Sequence, residues 1–322
     1  MRSWILSAVL LGFLGYAPCG RAADDADLPA DIIRVRDIPY RDGGSGKGST
    51  SWKLDLAVRK GIPTRPRPGI VVIHGGGWLE GDKSSFASRE HKVPGNIIDF
   101  AELGFVAVTI NYRMSGEAPF PAALEDCKSA VRWLRAHAGD YHLDPARIGA
   151  YGNSAGGHLA LLLGMVGKDA NLEGDGPFRN ESSLVQAAAS DSGPLDLVDQ
   201  YQGNRLREVV KRFLGGPPEA VRISLYQMAS PIHRITPETP PLLLIYGAAD
   251  EQVPIESADR FVSALGRAGL PDVSYHRLAY VGHCPHSLVG IPYLRTVVNE
   301  FFVRTLLHPE SSQKIRRAGD SR

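Results

Sequence analysis

The chain has little cysteine, almost no net charge and no apolar run long enough to cross a bilayer. Three cysteines among 322 residues cannot form the disulfide framework that stabilises many small secreted domains. A net charge of +1, from 36 Lys and Arg against 35 Asp and Glu, gives no field that would attract a polyanion. Nucleic acid is therefore not an expected partner. The apolar share of 43% is sufficient for a large buried core.

The first residues predict an export signal. Arg2 precedes an uncharged, mostly apolar run from Trp4 to Ala17, which is shorter than the roughly 20 residues that a membrane-spanning helix needs. Gly20-Arg21-Ala22 then fits the small-x-small pattern of a cleavage site. Residues 1–22 are expected to be a signal peptide, and the protein is expected to be secreted or periplasmic. A lipoprotein anchor at Cys19 is the weaker alternative, because the residues before it make a poor lipobox.

Short apolar segments alternate with longer helical patterns through most of the chain. The strand candidates are residues 70–73, 105–111, 148–151, 185–190, 242–246 and 273–278, and the helix candidates are 96–103, 122–137, 155–166, 255–268 and 294–307. Several strand candidates are apolar at every position, which is typical of strands covered on both faces of a parallel sheet. The alternation predicts one doubly wound, mostly parallel α/β domain over residues 32–307.

Three segments lie outside this alternation. Residues 32–40 and 52–58 alternate in polarity, which predicts an antiparallel hairpin at the edge of the sheet. Residues 195–238 hold helical patterns broken by two glycines and two prolines, and a segment of this length between two strands predicts a small inserted cap. Residues 308–322 are polar and lack periodicity, so they are expected to form a disordered tail.

The sequence Gly152-Asn153-Ser154-Ala155-Gly156 fits the G-x-S-x-G pattern. Its context matters more than the pattern, because it follows one strand candidate and opens a helix candidate, as a nucleophile elbow requires. Cβ atoms at positions 152 and 156 are expected to collide in so sharp a turn, so glycine is required at both. Ser154 is therefore the candidate nucleophile, with an ordinary glycine-rich loop as the alternative.

A second glycine-rich motif, His74-Gly75-Gly76-Gly77-Trp78, follows the first core strand. Backbone N–H groups stabilise an oxyanion only where side chains do not crowd its approach, and three glycines leave that approach open. We expect the N–H groups of Gly76, Gly77 and Ala155 to form an oxyanion hole. His74 is expected to anchor this loop. Trp78 is expected either to line a substrate pocket or to pack in the core.

A serine nucleophile needs a general base, and the base needs an orienting carboxylate. Asp250 follows the strand candidate 242–246, where the carboxyl edge of the sheet would present it. It is the preferred acid, and Asp191, after the preceding strand candidate, is its main rival.

Two histidines after the last strand candidate could be the base. His283 is preferred over His286 because it comes first and follows Gly282. The spacing of His283, Cys284 and His286 would also allow a metal site, but no fourth ligand is apparent. The sequence therefore predicts catalysis without a metal or cofactor.

Five segments, HGGGW, NYR, FPAALEDCKSAVRWLRAHA, LDPARIGAYGNSAGGHLA and GAADEQVP, resemble the esterase/lipase group of the α/β-hydrolase superfamily. The resemblance extends from about Trp52 to Leu306 and is closest to bifunctional feruloyl/acetyl-xylan esterase-like proteins and hormone-sensitive-lipase-like esterases. It implies an α/β-hydrolase fold, and it implies for the matching positions the same roles that chemistry suggested. These are Ser154 as nucleophile, Asp250 as acid, His283 as base, and Gly76, Gly77 and Ala155 as oxyanion donors. The chain departs from the pattern at Asn153 and at the Cys-Pro-His that follows His283.

These observations favour an exported serine carboxylesterase acting on a small-molecule or carbohydrate ester. The resemblance alone implies acetyl or feruloyl groups on plant polysaccharide as substrates. A prolyl-oligopeptidase-like serine peptidase is one alternative, although no propeller or repeat precedes the domain. A catalytically inactive binding protein of the same fold is another, although all three triad residue types are present.

Overall fold

Strands and helices alternate along the described part of the chain, which comprises residues 28–42, 51–88, 94–203, 206–219, 222–270, 272–285 and 293–309 of the computed structural model. The strands are β1 (Ile32–Pro39), β2 (Lys53–Arg59), β3 (Arg67–Ile73), β4 (Val106–Ile110), β5 (Leu143–Asn153), β6 (Ala187–Asp191), β7 (Leu242–Gly247) and β8 (Val273–Leu278). The helices are α1 (Ile97–Glu102), α2 (Ala122–Ala136), α3 (Ala138–Tyr141), α4 (Ala155–Met165), α5 (Leu197–Gln202), α6 (Arg207–Phe213), α7 (Ile223–Met228), α8 (Ile255–Arg267) and α9 (Tyr293–Phe302).

The strands form one sheet in the order β1-β2-β4-β3-β5-β6-β7-β8. β1 pairs with β2, and β2 with β4, in antiparallel fashion. Every pairing from β4 across to β8 is parallel. The mostly parallel sheet and its antiparallel edge hairpin are therefore confirmed. Because the carboxyl ends of parallel strands meet at one edge, the loops after β3, β5, β6, β7 and β8 share that edge.

The inner strands are buried along their whole length. All residues of β3, β4, β6 and β7 are buried, as expected for strands covered by helices on both faces. Apolar side chains of β2, β3 and β4 share one buried cluster with those of α2 and α4. A second cluster joins β7 to α8. The parallel sheet and these helices thus hold the carboxyl edge in a fixed geometry.

Two elements differ most from the sequence expectation. β5 begins at Leu143 instead of Ile148, because its pairing with β3 continues past a register shift to Arg67. Polar, partly exposed residues lie in that stretch, so hydrophobic patterning did not indicate a strand. The expected helix over residues 294–307 ends as an α-helix at Phe302 and continues as a π-helix over Val303–Leu307.

The segment between β6 and β7 carries α5, α6, α7 and a 3-10 turn at Pro231–Arg234. Val210, Phe213 and Tyr226 from these helices are buried in the same cluster as the side chains of β3 and β4. The segment therefore packs directly on the sheet domain, and its independence as a cap stays a prediction. Residues 1–22 and 310–322 lie outside the described part of the chain, so the signal peptide and most of the tail also stay predictions. Of the helices described, none is long and apolar enough to cross a membrane.

Candidate active site

Ser154 lies in a sharp turn between β5 and α4. Its backbone has φ 50° and ψ −122°, a conformation that residues with a side chain rarely adopt. A Cβ atom on Gly152 would lie 2.4 Å from the carbonyl carbon of Gly156, so glycine is required at position 152 as expected. A Cβ atom on Gly156 would instead lie 2.1 Å from the carbonyl oxygen of Ile73. The second glycine therefore allows α4 to approach β3, which is a different reason from the one expected.

Ser154, His283 and Asp250 form a continuous hydrogen-bonded chain. Nε2 of His283 lies 2.9 Å from the Ser154 hydroxyl, and Nδ1 of His283 lies 2.7 Å from Oδ2 of Asp250. The Asp250 side chain is fully buried, and the exposed fraction of the His283 side chain is 14%. Because a carboxylate only accepts hydrogen bonds, Nδ1 carries the proton and Nε2 is free to accept one from the serine.

The loop after β7 fixes the orientation of the Asp250 carboxylate. Its Oδ1 accepts hydrogen bonds from the backbone N–H groups of Gln252, at 2.8 Å, and Val253, at 2.9 Å. The other oxygen, Oδ2, is directed to His283. The adjacent Glu251 is exposed.

The sequence offered Asp191 as an alternative acid and His286 as an alternative base. Asp191 ends β6, and its carboxylate accepts a hydrogen bond from the Ser192 hydroxyl at 2.9 Å. Its backbone carbonyl accepts the Ser154 N–H at 2.7 Å, so Asp191 supports the turn, while Asp250 contacts His283. His286 lies outside the described residues.

Gly76 and Gly77 lie in the loop that follows β3. Both have positive φ values, 108° and 61°, which favour glycine. The carbonyl of Gly76 accepts the N–H groups of Leu79 and Glu80, and the N–H of Gly75 donates to Oδ1 of Asn153 at 2.9 Å. The loop is therefore tied to the elbow. Ala155, the third expected oxyanion donor, is the first residue of α4.

His74 directly follows β3, and its side chain contacts Gly75 and Tyr112. Its ring stacks on Tyr112, its Nδ1 donates to the Gly75 carbonyl at 2.7 Å, and its own carbonyl accepts the Tyr112 hydroxyl at 3.0 Å. Burial lowers its pKa below the usual value for histidine. These contacts agree with an anchoring role.

Trp78 is a core residue, which decides between the two roles expected for it. It is 1% exposed and stacks on Phe213 of α6, with ring centroids 4.2 Å apart. Val209 of the same helix lies close above the loop, because its Cγ1 would be 3.1 Å from a Cβ atom on Gly77. Sequence reasoning did not identify Phe213 or Val209, and no motif marks them.

Among the residues that the structure describes, no group of three or more His, Cys, Asp or Glu side chains could hold a metal ion.

Two further side chains contact the site. Asn153 bonds to the loop after β3, and Cys284 lies next to His283 in sequence with its sulfur 3.9 Å from Nδ2 of Asn153. Both were noted in the sequence only as departures from a family pattern, and their contact with each other could not be read there.

Known proteins resemble this chain in sequence and in structure. Esterase LipC of Mycobacterium tuberculosis is 32% identical over 237 residues, which are 71% of this chain and 56% of LipC. A bifunctional GH43-CE protein of Bacteroides eggerthii matches 84% of this chain with 38% of its own, at 29% identity and a TM-score of 0.72. Esterase 2 of Thermogutta terrifontis, phosphorylated by paraoxon, matches 86% of this chain with 95% of its own, at 27% identity and a TM-score of 0.64.

The chain spans little more than half the length of LipC, so LipC extends well beyond the shared region. The family model described as BD-FAE matches residues 54–265, which include β2 to α8 and with them Ser154 and Asp250. With this match over more than half of its length, the chain belongs to the BD-FAE family of α/β-hydrolase-fold esterases.

Proposed function

We propose that the protein is an exported serine carboxylesterase that hydrolyses acyl esters through an acyl-enzyme. The observation that carries the proposal is the pair of hydrogen bonds at His283, 2.9 Å to the Ser154 hydroxyl and 2.7 Å to the Asp250 carboxylate. This is the arrangement in which a base can remove the serine proton while a carboxylate stabilises the imidazolium that forms.

The reaction follows from these contacts. Ser154 Oγ attacks the ester carbonyl as its proton passes to Nε2 of His283. The imidazolium donates that proton to the leaving alcohol, and the acyl group remains on Ser154. Water then attacks the acyl-enzyme with His283 again as base, which releases the acid and restores the serine. No metal or cofactor takes part in any step.

The oxyanion formed in each half of the reaction is assigned to the N–H groups of Gly76, Gly77 and Ala155. Two features support this assignment. Both glycines lie in the loop whose Gly75 is hydrogen-bonded to the elbow, and Ala155 begins α4, where the helix dipole favours negative charge. Within the described residues, none of these three N–H groups donates to a protein acceptor. Loss of one such donor costs about 2.7 to 4 kcal/mol of transition-state stabilisation in a serine hydrolase.

For the substrate, we propose acetyl or feruloyl esters on polysaccharide. The BD-FAE family match and the similarity to a bifunctional GH43-CE protein support a carbohydrate ester. Relatives named as esterases, LipC among them, support ester hydrolysis over peptide hydrolysis. The near-neutral charge of the chain is compatible with an uncharged ester.

The decisive test of the mechanism is the Ser154→Ala variant with p-nitrophenyl acetate. We expect kcat to fall at least roughly 10⁴-fold, because the nucleophile is lost, while the circular dichroism spectrum stays that of the wild type. Undiminished hydrolysis by a folded S154A protein would contradict the mechanism.

Labelling of the wild type by a fluorophosphonate, with none for S154A, separates an active enzyme from a binding protein of the same fold. A peptide p-nitroanilide assay tests the peptidase alternative.

The substrate class is tested by release of acid from matched esters. We expect acetylated xylan and methyl ferulate to be hydrolysed with higher kcat/KM than a long-chain triglyceride. A preference for the triglyceride would contradict the proposed class and leave the serine mechanism intact.

Export is proposed from the pattern of residues 1–22. When the full chain is expressed in a bacterium, we expect mature protein outside the cytoplasm whose first residue is Ala23, as measured by intact mass and N-terminal sequencing. Protein that stays in the cytoplasm and keeps Met1 would contradict export.

A further inference from the structure

Tyr280 is an exposed aromatic residue in the turn between β8 and His283. Its side chain is 98% exposed, the largest value among the large hydrophobic side chains of the described part of the chain. Its φ is 61°, in the left-handed region where glycine and asparagine are more stable than tyrosine. A ring in water adds no buried area to the free energy of folding. Neither packing nor turn geometry therefore accounts for a tyrosine at this position.

The turn that presents this ring is hydrogen-bonded on both sides of Tyr280. Before the tyrosine, the carbonyl of Leu278 accepts the N–H of Ala248 at 2.7 Å. After it, the carbonyl of Val281 accepts the N–H of Ala249 at 2.9 Å. Both bonds join the turn to the loop after β7, so the backbone under the ring is already ordered. A ligand that binds the ring therefore does not have to order the turn, which would weaken its binding.

The role of His283 determines which part of the substrate lies near this turn. In the proposed mechanism, Nε2 of His283, 2.9 Å from the Ser154 hydroxyl, donates the proton to the leaving alcohol. The alcohol part of the ester is therefore bound at His283. Tyr280 precedes His283 by three residues. Because three residues of extended backbone span at most about 11 Å, the two Cα atoms lie within that distance of each other.

A sugar unit is the partner whose chemistry and size suit this ring. In an acylated polysaccharide the alcohol part is the sugar chain, whose neighbouring units extend away from the ester. One face of a pyranose ring carries C–H groups that pack on an aromatic ring, and its hydroxyl groups can bond to the phenol of a tyrosine. A single aromatic side chain buries about 150 to 250 Å². A stable protein interface buries about 800 Å² on each partner, so one ring matches a sugar unit better than a protein.

We propose that Tyr280 forms a stacking subsite for a sugar ring in the alcohol part of the substrate. The inference rests on the proposed esterase function and deepens it, because it names a residue that selects a carbohydrate ester over the ester of a small alcohol. The ring takes no part in proton transfer, so it binds the substrate and the transition state alike. Its loss should therefore raise KM for a sugar ester and leave kcat nearly unchanged.

The test compares two acetyl esters that differ in their alcohol part, acetylated xylotetraose and ethyl acetate. Both are measured on the same preparation, so misfolded enzyme cancels in the ratio of the two kcat/KM values. We expect Tyr280→Ala to lower this ratio about fivefold to tenfold, the equivalent of one stacked ring, through a higher KM for the oligosaccharide. Tyr280→Phe keeps the ring and should retain at least about half of the wild-type ratio.

Two further variants distinguish stacking from an effect on structure. Tyr280→Asn removes the ring and suits the positive φ, so its urea midpoint should equal or exceed that of the wild type while the ratio falls as in Y280A. The matched control is Phe178→Ala, which removes a ring that is 41% exposed and packs edge-on to His137. His137 precedes β5, whereas Ser154 follows it, and F178A should keep the ratio within about twofold of the wild type.

Several results would overturn the inference. An unchanged ratio in Y280A and Y280N would exclude the subsite and leave the esterase function intact. An equal loss in Y280F or F178A would show that the ring of Tyr280 is not responsible, and a smaller oligomer in Y280A by light scattering would assign the ring to a contact between copies. If the wild type hydrolyses ethyl acetate and not the oligosaccharide, the proposed substrate class fails and the subsite with it. If it hydrolyses neither ester, the esterase function itself fails.

Discussion

The turn at Ser154 depends on contacts too close for any side chain. Gly156 brings the first turn of α4 against β3, where a Cβ atom would lie 2.1 Å from the Ile73 carbonyl oxygen and 2.5 Å from that of His74. Backbone atoms cannot move aside as the end of a flexible side chain can. The geometry that raises the serine above the sheet therefore depends on this glycine as much as on the serine.

We predict opposite stability effects for two Gly→Ala changes. Gly156→Ala should lower the free energy of unfolding by about 3 kcal/mol, because the new methyl group overlaps backbone atoms. Gly266→Ala, near the end of α8, meets nothing within 4 Å and should raise it by roughly 0.5 to 1 kcal/mol through helix propensity. Urea unfolding of both variants measures the difference. Equal stability of G156A and wild type would show that α4 can move away from β3.

At the scale of elements, α6 packs against the glycine-rich loop that follows β3 and supports it. Phe213 stacks on Trp78, with an angle of 14° between the rings, and its carbonyl accepts the Phe120 N–H at 2.7 Å. His158 of α4 packs edge-on to Trp78 and donates through Nε2 to the Ala229 carbonyl at 2.7 Å. The segment between β6 and β7 thus packs on the loop and is hydrogen-bonded to the helix that follows the serine.

This packing predicts that Phe213→Ala affects stability and catalysis together. The buried ring leaves a cavity, and the free energy of unfolding should fall by about 3 to 5 kcal/mol. The loop loses the surface on which Trp78 stacks, so kcat/KM for p-nitrophenyl acetate should fall as well. Chemical denaturation and initial rates measure the two effects. Phe178→Ala is the matched control, because its ring is 41% exposed and its loss should cost less than about 1 kcal/mol. Full activity in a destabilised F213A variant would show that catalysis does not depend on the packing of α6 against the loop.

At the scale of the whole molecule, buried histidines make stability depend on pH. Burial lowers the pKa of His158 from 6.5 to about 4, and it lowers the pKa of His74 in the same direction. Between about pH 4 and pH 6.5, the unfolded chain binds a proton at His158 that the folded protein does not bind. Stability therefore falls as pH is lowered through this window, and it is fully present only above about pH 6.5.

We predict that protonation of His158 in the unfolded chain lowers the free energy of unfolding by roughly 2 kcal/mol between pH 7 and pH 4.5. His158→Gln keeps a donor for the Ala229 carbonyl and does not titrate, so the fall in stability over this range should be smaller by that amount. Urea unfolding at the two pH values gives the comparison. His142→Gln, which replaces an exposed histidine, is the matched control. An unchanged pH dependence in H158Q would contradict a neutral, buried His158.

Much of the molecule follows from the sequence because its signals are local. Apolar runs give strands covered on both faces, and alternating polarity gives the edge hairpin. The glycines around Ser154 indicate a turn that only small residues can form. Chain order in this fold selects Asp250 and His283, and these two side chains are in contact. Each of these inferences uses residues close in sequence, or one rule about strand ends.

Only the tertiary structure decided the rest, because it depends on contacts between distant segments. Ser154 and His283 are 129 residues apart, and their 2.9 Å contact exists because parallel strands bring their loops to one edge. Asp191 and Asp250 both follow buried strands, and only the loop geometry shows which one faces the imidazole. The link from Asn153 to Cys284 and the stacking of Phe213 on Trp78 likewise join residues whose spacing carries no signal. Local pattern thus determined the elements and the chemical groups, while long-range packing determined which of those groups touch.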